Sequence, residues 1–206
     1  MTETALVGKP CYMIDTPPAR HPDGRKQRSQ RSRQAIVDAM LDIILGGKME
    51  PSAAEIAERA GVSARTVFRH FEEMDSLYSE MTERMEAEIM PIIQQPFTGE
   101  GWRAQLDQLL ERRAIIYDRI MPLKIAASIR RFSSEYLMLN YQRFLHLERT
   151  GLEGVLPEAF RKDATLFSAI EMCAGFQTWR RLRQDQNLTV DEAEDVVKLT
   201  IARLVD

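Results

Sequence analysis

The stretch AEIAERAGVSARTVFRHF, residues 54–71, constrains the fold more than any other part of the chain. Two short runs with apolar residues at helical spacing are separated by Gly61, Val62 and Ser63. Glycine takes the left-handed backbone that a tight turn between helices demands, and the serine after it offers its oxygen to the free N–H groups opening the next helix. Upstream, Ser52 stands three residues before Glu55, the spacing at which a serine caps a helix and a glutamate reaches back to the serine's backbone. The pattern predicts helix, tight turn, helix. At about 100° per residue, Val67 and Phe71 share the inner face of the second helix. Arg65, Thr66 and Arg69 point the opposite way, with Ala64 and Phe68 on one flank of the exposed face and His70 on the other.

A short helix on a two-helix platform, with arginines and a threonine outward at its start, has the size and chemistry to enter the major groove of DNA. The net charge of −3 argues against a polyanion partner until its distribution is considered. Between Arg20 and Phe71, ten Lys/Arg face six Asp/Glu, whereas residues 72–206 carry seventeen against twenty-three. One end is suited to a polyanion and the rest to something else. Pro10, Pro17, Pro18 and Pro22 interrupt any regular pattern at the start, and RKQRSQRSR, residues 25–33, holds five basic residues and no acid. Residues 1–30 therefore read as a flexible basic arm, of which residues 1–20 are a solvated leader, and the run Arg25 to Arg33 follows phosphates or enters a minor groove, with Arg28, Arg31 and Arg33 against the DNA.

Helical periodicity starts near Ser32 and continues almost to the end. Ile36, Ala39, Met40, Ile43 and Ile44 make one apolar face, and Gly46-Gly47 stops that helix. A fourth helix carries Met81, Met85 and Ile89 up to Pro91. A fifth runs from Trp102 to Ile120 before Pro122, a short sixth from Leu123 to Phe132, and a seventh from Tyr136 to a stop near Gly151. A long eighth spans Glu158 to Gln184, and Thr189-x-x-Glu192 opens the last with a second capping box. About nine helices and no strand pattern predict an all-α chain.

From about Arg33 to Leu77, the amphipathic helix, S-A-A-E-I-A-E-R-A-G-V-S, A-R-T-V-F-R-H-F and the D-S-L at the entry to the fourth helix resemble the TetR family of transcriptional regulators. The resemblance implies a helix-turn-helix DNA-binding domain over 31–77 and a ligand-sensing and dimerisation domain over 78–206. It also implies double-stranded operator DNA, a second copy of the chain and an unidentified small-molecule effector as partners, with repression the usual mode. Carried over position by position, Ser52, Thr66, Phe68 and His70 fall at phosphate-contacting places and Ala64 and Arg65 at base-reading ones, with Ser63 and Arg69 beside them. Two residues depart from the family: Phe68 replaces the usual tyrosine, and Met74 stands where a phosphate-binding lysine is common. Affinity then leans more on the arm, on Arg69 and on backbone N–H groups at helix starts.

A ligand pocket is expected among the fifth to eighth helices, where aromatic residues and methionines gather. Its expected lining is Trp102, Tyr117, Phe132, Tyr141 and Phe167, with Arg113 or Asn140 as polar anchors. On the final helix Ala193, Val197, Thr200 and Leu204 recur at four-three-four spacing, as a bundle helix requires, and Cys173, Phe176 and Trp179 would supply the facing surface of a dimer.

The remaining classes find little support. The histidines His21, His70 and His146 are isolated, no glycine-rich phosphate loop follows a strand, and Cys11 and Cys173 lack metal or disulfide spacing. No catalytic residue, metal or cofactor is expected. Neither an export signal nor an apolar run long enough to span a membrane is present, so the expected location is cytoplasmic. The alternative is a ligand-independent architectural or protein-binding DNA-associated protein; a ligand-sized enclosed cavity with polar anchors favours the sensor, and a filled interior favours the alternative.

Overall fold

The computed structural model describes residues 24–71 and 74–206. Among them are ten α-helices and no strand, so the all-α expectation holds. They are α1 Gly24–Leu45, α2 Ala53–Ala60, α3 Ala64–His70, α4 Met74–Ile93, α5 Gly101–Arg130, α6 Glu135–Val155, α7 Glu158–Lys162, α8 Ala164–Ala174, α9 Phe176–Arg180 and α10 Val190–Val205. A short 3-10 turn, Arg131–Ser133, joins α5 to α6, and one wide turn, Arg181–Asp185, closes α9. The leading prolines, Cys11 and His21 lie outside the described residues.

Five boundaries differ from those read in the sequence. The first helix begins at Gly24 rather than near Ser32, because nothing between Arg25 and Leu45 breaks a helix and Arg, Lys and Gln all favour one. The described part of the basic run is therefore the opening of a helix and not an extended arm. Pro122 does not end α5, which is continuous from Gly101 to Arg130. A proline inside a helix costs about 3 kcal/mol, yet Tyr117, Ile120, Leu123 and Ala126 are buried on both sides of it, and that burial outweighs one missing hydrogen bond. Pro91 likewise sits in the last turn of α4, and Gly151 lies within α6. Conversely, the long helix expected from Glu158 to Gln184 is divided at Asp163, whose carboxylate caps α8 by accepting from the Leu166 N–H at 2.9 Å, and at Gly175, where the chain is extended.

The core is continuous from end to end. Ile36, Val37, Met40 and Ile44 of α1 meet Ile56 of α2 and Val67 at the heart of α3. Leu77, Tyr78 and Met81 carry α4 out of this cluster towards the second half of the chain. There α5 is the axis, packing against α1, α4, α6, α9 and α10.

The dimer surface read in the sequence needs correction. Phe176, Trp179, Ala193 and Val197 are all buried within the chain. On α10 the inward stripe is Ala193, Val197, Ile201 and Val205, spaced four residues apart, and it packs on α5 and α8. Thr200 is exposed, while Leu204 and Cys173 are half-buried. The apolar side chains facing outward on these elements are Met172 of α8 and Val196 and Leu199 of α10, which are 67%, 38% and 60% exposed.

Candidate nucleic-acid interface and adjoining cavity

Local chemistry builds the exposed head. The Ser52 hydroxyl and Glu55 form a complete capping box at the start of α2. Lys48 also binds Glu55, and that hydrogen bond with those from the Ser52 backbone and hydroxyl holds the carboxyl down to about 2. At the other end Gly61 adopts φ 65° and ψ 32°; its N–H reaches the Glu58 carbonyl at 3.2 Å and the Val62 N–H the Ala57 carbonyl at 3.0 Å. These paired bonds close α2 and turn the chain, and no side chain with a Cβ adopts that backbone as cheaply as glycine. Ser63 then caps α3, accepting from the Thr66 N–H at 3.2 Å and sharing a 2.9 Å hydrogen bond with the Thr66 hydroxyl.

The outward face of α3 is as expected. Ala64, Arg65, Phe68 and Arg69 are exposed, Thr66 is half-buried, and Val67 and Phe71 are buried beneath. Phe68 is 61% exposed, an apolar ring offered to whatever covers this helix. Ser52 and Ser63 are exposed at the helix starts, and Arg28 and Arg31 are exposed on α1, where the Arg28 Nε bonds back to the Gly24 carbonyl at 3.2 Å.

Two residues assigned to phosphates occupy other roles. Arg33 ion-pairs with Glu80 of α4, donates to the His70 carbonyl at 2.9 Å and lies 4.5 Å above the Phe71 ring. It ties the end of α3 to α1 and α4. The His70 ring has its Nε2 buried with no partner, and burial, then the charges of Arg69 and Arg33, push its pKa below the ordinary value. The Nε2 therefore faces away from any phosphate in this conformation.

Beside this head, α4, α5 and α6 line a partly open cavity of about 410 Å³, a volume in the range of small-molecule sites. Its walls are mostly apolar, among them Met85, Ile89, Ile116, Ile120 and Phe144. The cavity lies on the segments expected as the fifth to seventh helices, here α5 and α6, with α4 as an added wall and no lining residue from the expected eighth. Of the expected lining, Arg113, Tyr117 and Asn140 are present. Trp102 instead stacks on Phe160 at 5.1 Å, Phe167 is core beneath Arg149, and Phe132 is 78% exposed on the 3-10 turn. Tyr141 lines a small side chamber that shares Lys124, Asn140, Phe144 and Glu148 with the main cavity.

The polar groups of the cavity form a network. Arg113 donates to the Ala174 carbonyl at 3.0 Å and to the Glu148 carbonyl. The Glu148 carboxylate accepts from the Tyr117 hydroxyl at 2.6 Å and from the Phe176 N–H at 2.8 Å. Burial raises the Tyr117 pKa well above its ordinary value, so it remains a donor. Arg143 pairs with Glu86 of α4 at 3.0 Å. Lys124 and Glu148 were missed in the sequence. Lys124 carried a signal, a lone lysine seven residues after Tyr117 on the same helical face, whereas Glu148 comes close only through the packing of α6 on α5.

Comparison with known proteins agrees with this architecture. Residues 50–81 match the family model for bacterial regulatory proteins of the tetR family. The fold is similar to that of a transcriptional regulator from Rhodococcus sp. Rha1, with a TM-score of 0.57 and 23% identity over 86% of this chain and 95% of that one. No curated protein matches by sequence. The family match and the shared all-α fold agree with the resemblance read from residues 33–77: residues 50–81 are similar to the regulatory proteins of the tetR family, and the chain as a whole shares its fold with a transcriptional regulator.

Proposed function

We propose that this chain is a DNA-binding transcriptional regulator of the TetR type, a ligand-responsive repressor that binds a palindromic operator as a homodimer in the cytoplasm, with no enzymatic step. One observation carries the reading: a single helix, α4, both walls the cavity and is fastened to the DNA-binding head. Thr82, Met85, Glu86 and Ile89 of α4 face the cavity. From the same helix Glu80 holds Arg33 and Arg84 holds Asp38, both on α1. A ligand that shifts α4 therefore moves the head, and it switches the protein only in so far as it binds the shifted and unshifted states with different affinity. The DNA surface is Arg28, Arg31, Ser52, Ser63, Ala64, Arg65, Thr66, Phe68 and Arg69, with Arg33 and His70 positioning it from behind.

One reading helix per chain touches too few bases to find a site in a genome, and two copies about a two-fold axis double the readout. The outward apolar residues Met172, Val196 and Leu199 supply a self-complementary face for that pairing. The ligand-independent architectural reading is disfavoured by the cavity, a ligand-sized and mostly apolar space with polar anchors. No described helix is long and apolar enough to cross a membrane. Selection of bound sequences from a random DNA pool tests the core of the proposal. An imperfect palindrome is expected; a single unrepeated site, or no enrichment, would remove operator recognition by a symmetric dimer.

A further inference from the structure

Charge in the cavity is unbalanced. Arg112, Arg113, Lys124 and Arg143 line it against only Glu86 and Glu148. The two carboxylates are already engaged, Glu86 with Arg143 and one oxygen of Glu148 with both Tyr117 and the Phe176 N–H. Arg112 spends its guanidinium on the Gln95 and Pro96 carbonyls at 2.6 and 2.8 Å, and Arg113 is likewise held by carbonyls, so neither positive charge is neutralised.

Lys124 stands apart. Its ammonium lies 3.7 Å from the centre of the Phe144 ring, and among the described residues it has neither an ion pair nor a hydrogen bond. The Asn140 side chain also lacks a hydrogen-bond partner among the described residues, and the two line the same junction between the cavity and its side chamber. Cationic and amide donors without protein partners, beside a large apolar space, are what a site looks like when the ligand supplies the acceptors. Burial pushes the Lys124 ammonium down to about 8, opposed by Glu148 and Glu86 and reinforced by Arg143.

Resting on the sensor reading above, we propose that the cavity takes an amphipathic organic acid, an aliphatic or aromatic body ending in one carboxylate, with Lys124 and Asn140 holding the carboxylate. The apolar body lies along Met85, Ile89, Ile116 and Ile120. A carboxylate suits the junction because its two oxygens accept from two separate donors at once, while an alcohol leaves the ammonium unpaired and an amine adds a like charge. Anion binding returns the lysine towards its ordinary pKa, so complex formation takes up protons near pH 8 and weakens above it. The charged and titratable groups around the amine are Glu86 from α4, Arg113 and Tyr117 from α5, Arg131 beside the chamber, and Arg143 and Glu148 from α6. Arg131 also has neither an ion pair nor a hydrogen bond among the described residues, its Nε being buried without a partner, but its guanidinium lies over the Phe132 and Tyr141 rings at the side chamber and outside the lining of the main cavity.

Calorimetric titration of the full-length protein with decanoate, 4-phenylbutyrate, decanol and decylamine, each below its micellar concentration, tests this. At pH 7 decanoate should bind at least tenfold more tightly than decanol, and decylamine more weakly still. Lys124→Met should lose that preference while keeping its decanol affinity, and Lys124→Arg should retain it. Decanoate affinity should fall severalfold between pH 7 and pH 9.5 in the wild type and stay flat in Lys124→Met. Tightest binding by the amine, unchanged decanoate affinity in Lys124→Met, or no binding by either acid overturns the proposal. Operator release separates it from the sensor reading. Lys124-dependent binding of decanoate without release would leave the ligand chemistry standing and remove the sensor, whereas release by an uncharged compound alone would do the reverse.

Discussion

Replacing Lys124 with methionine should make the ligand-free protein more stable. The folded chain lowers the lysine pKa from 10.5 to about 8, so at pH 7 it holds a charged ammonium in a place that disfavours it. A shift of about 2.5 units at about 1.4 kcal/mol each sets an upper bound of about 3 kcal/mol on this penalty. Methionine keeps the apolar stem beside Phe144 but gives up the ammonium above the ring, which subtracts about 0.5–1 kcal/mol. The net gain is at most about 2–2.5 kcal/mol, or about 4–10 °C in Tm for a chain of this size. Its pH dependence identifies the cause. Below pH 8 both folded and unfolded chains hold the proton and the penalty is complete. Between pH 8 and about 10.5 the folded chain has released a proton that the unfolded chain keeps, so wild-type stability rises with pH and the advantage of the variant shrinks. Thermal unfolding of both proteins at pH 7, 9 and 10.5, followed by circular dichroism, checks this. A variant that is no more stable at pH 7, or a gain independent of pH, would refute the claim that Lys124 is a desolvated charge.

Other substitutions separate the head from the rest. Arg65→Ala should cost about 1–3 kcal/mol on the preferred operator and relax preference at one base pair per half-site, measured by gel shift on single-substitution operators. Arg33→Met should lower stability by about 1–2 kcal/mol and weaken operator binding while leaving the slope of log affinity against log salt unchanged, because its partners are Glu80 and the His70 carbonyl; a shallower slope would return Arg33 to the phosphates. Leu199→Glu should abolish the dimer in sedimentation while the helical content and Tm of the chain persist, whereas Val197→Glu should unfold it, since only the second side chain is buried within one chain. A fully dimeric Leu199→Glu would move the interface elsewhere.

What was legible in the sequence was whatever is decided within a few residues along the chain. Ser52 with Glu55, Gly61, Ser63 and Thr189 with Glu192 were each readable because a cap or a left-handed turn is a contact between neighbours, and the structure places all of them as their spacing implied. The inner and outer faces of α3 followed in the same way, since seven residues on one helix leave only one arrangement that buries both Val67 and Phe71. Tertiary packing decided the rest. It carried α5 through Pro122, because burial on both sides of the proline exceeds the cost of one lost hydrogen bond. It turned Arg33 from the DNA to Glu80, a partner 47 residues away. It also sent Val197 inward and left Leu199 out, although both lie on one apolar-rich helix whose amphipathic pattern is too broad to distinguish a neighbour in the same chain from one in another. Lys124 belongs here too: a lysine's sequence neighbours do not reveal whether it faces water or an apolar cavity, because the desolvation that lowers its pKa is a property of three packed helices.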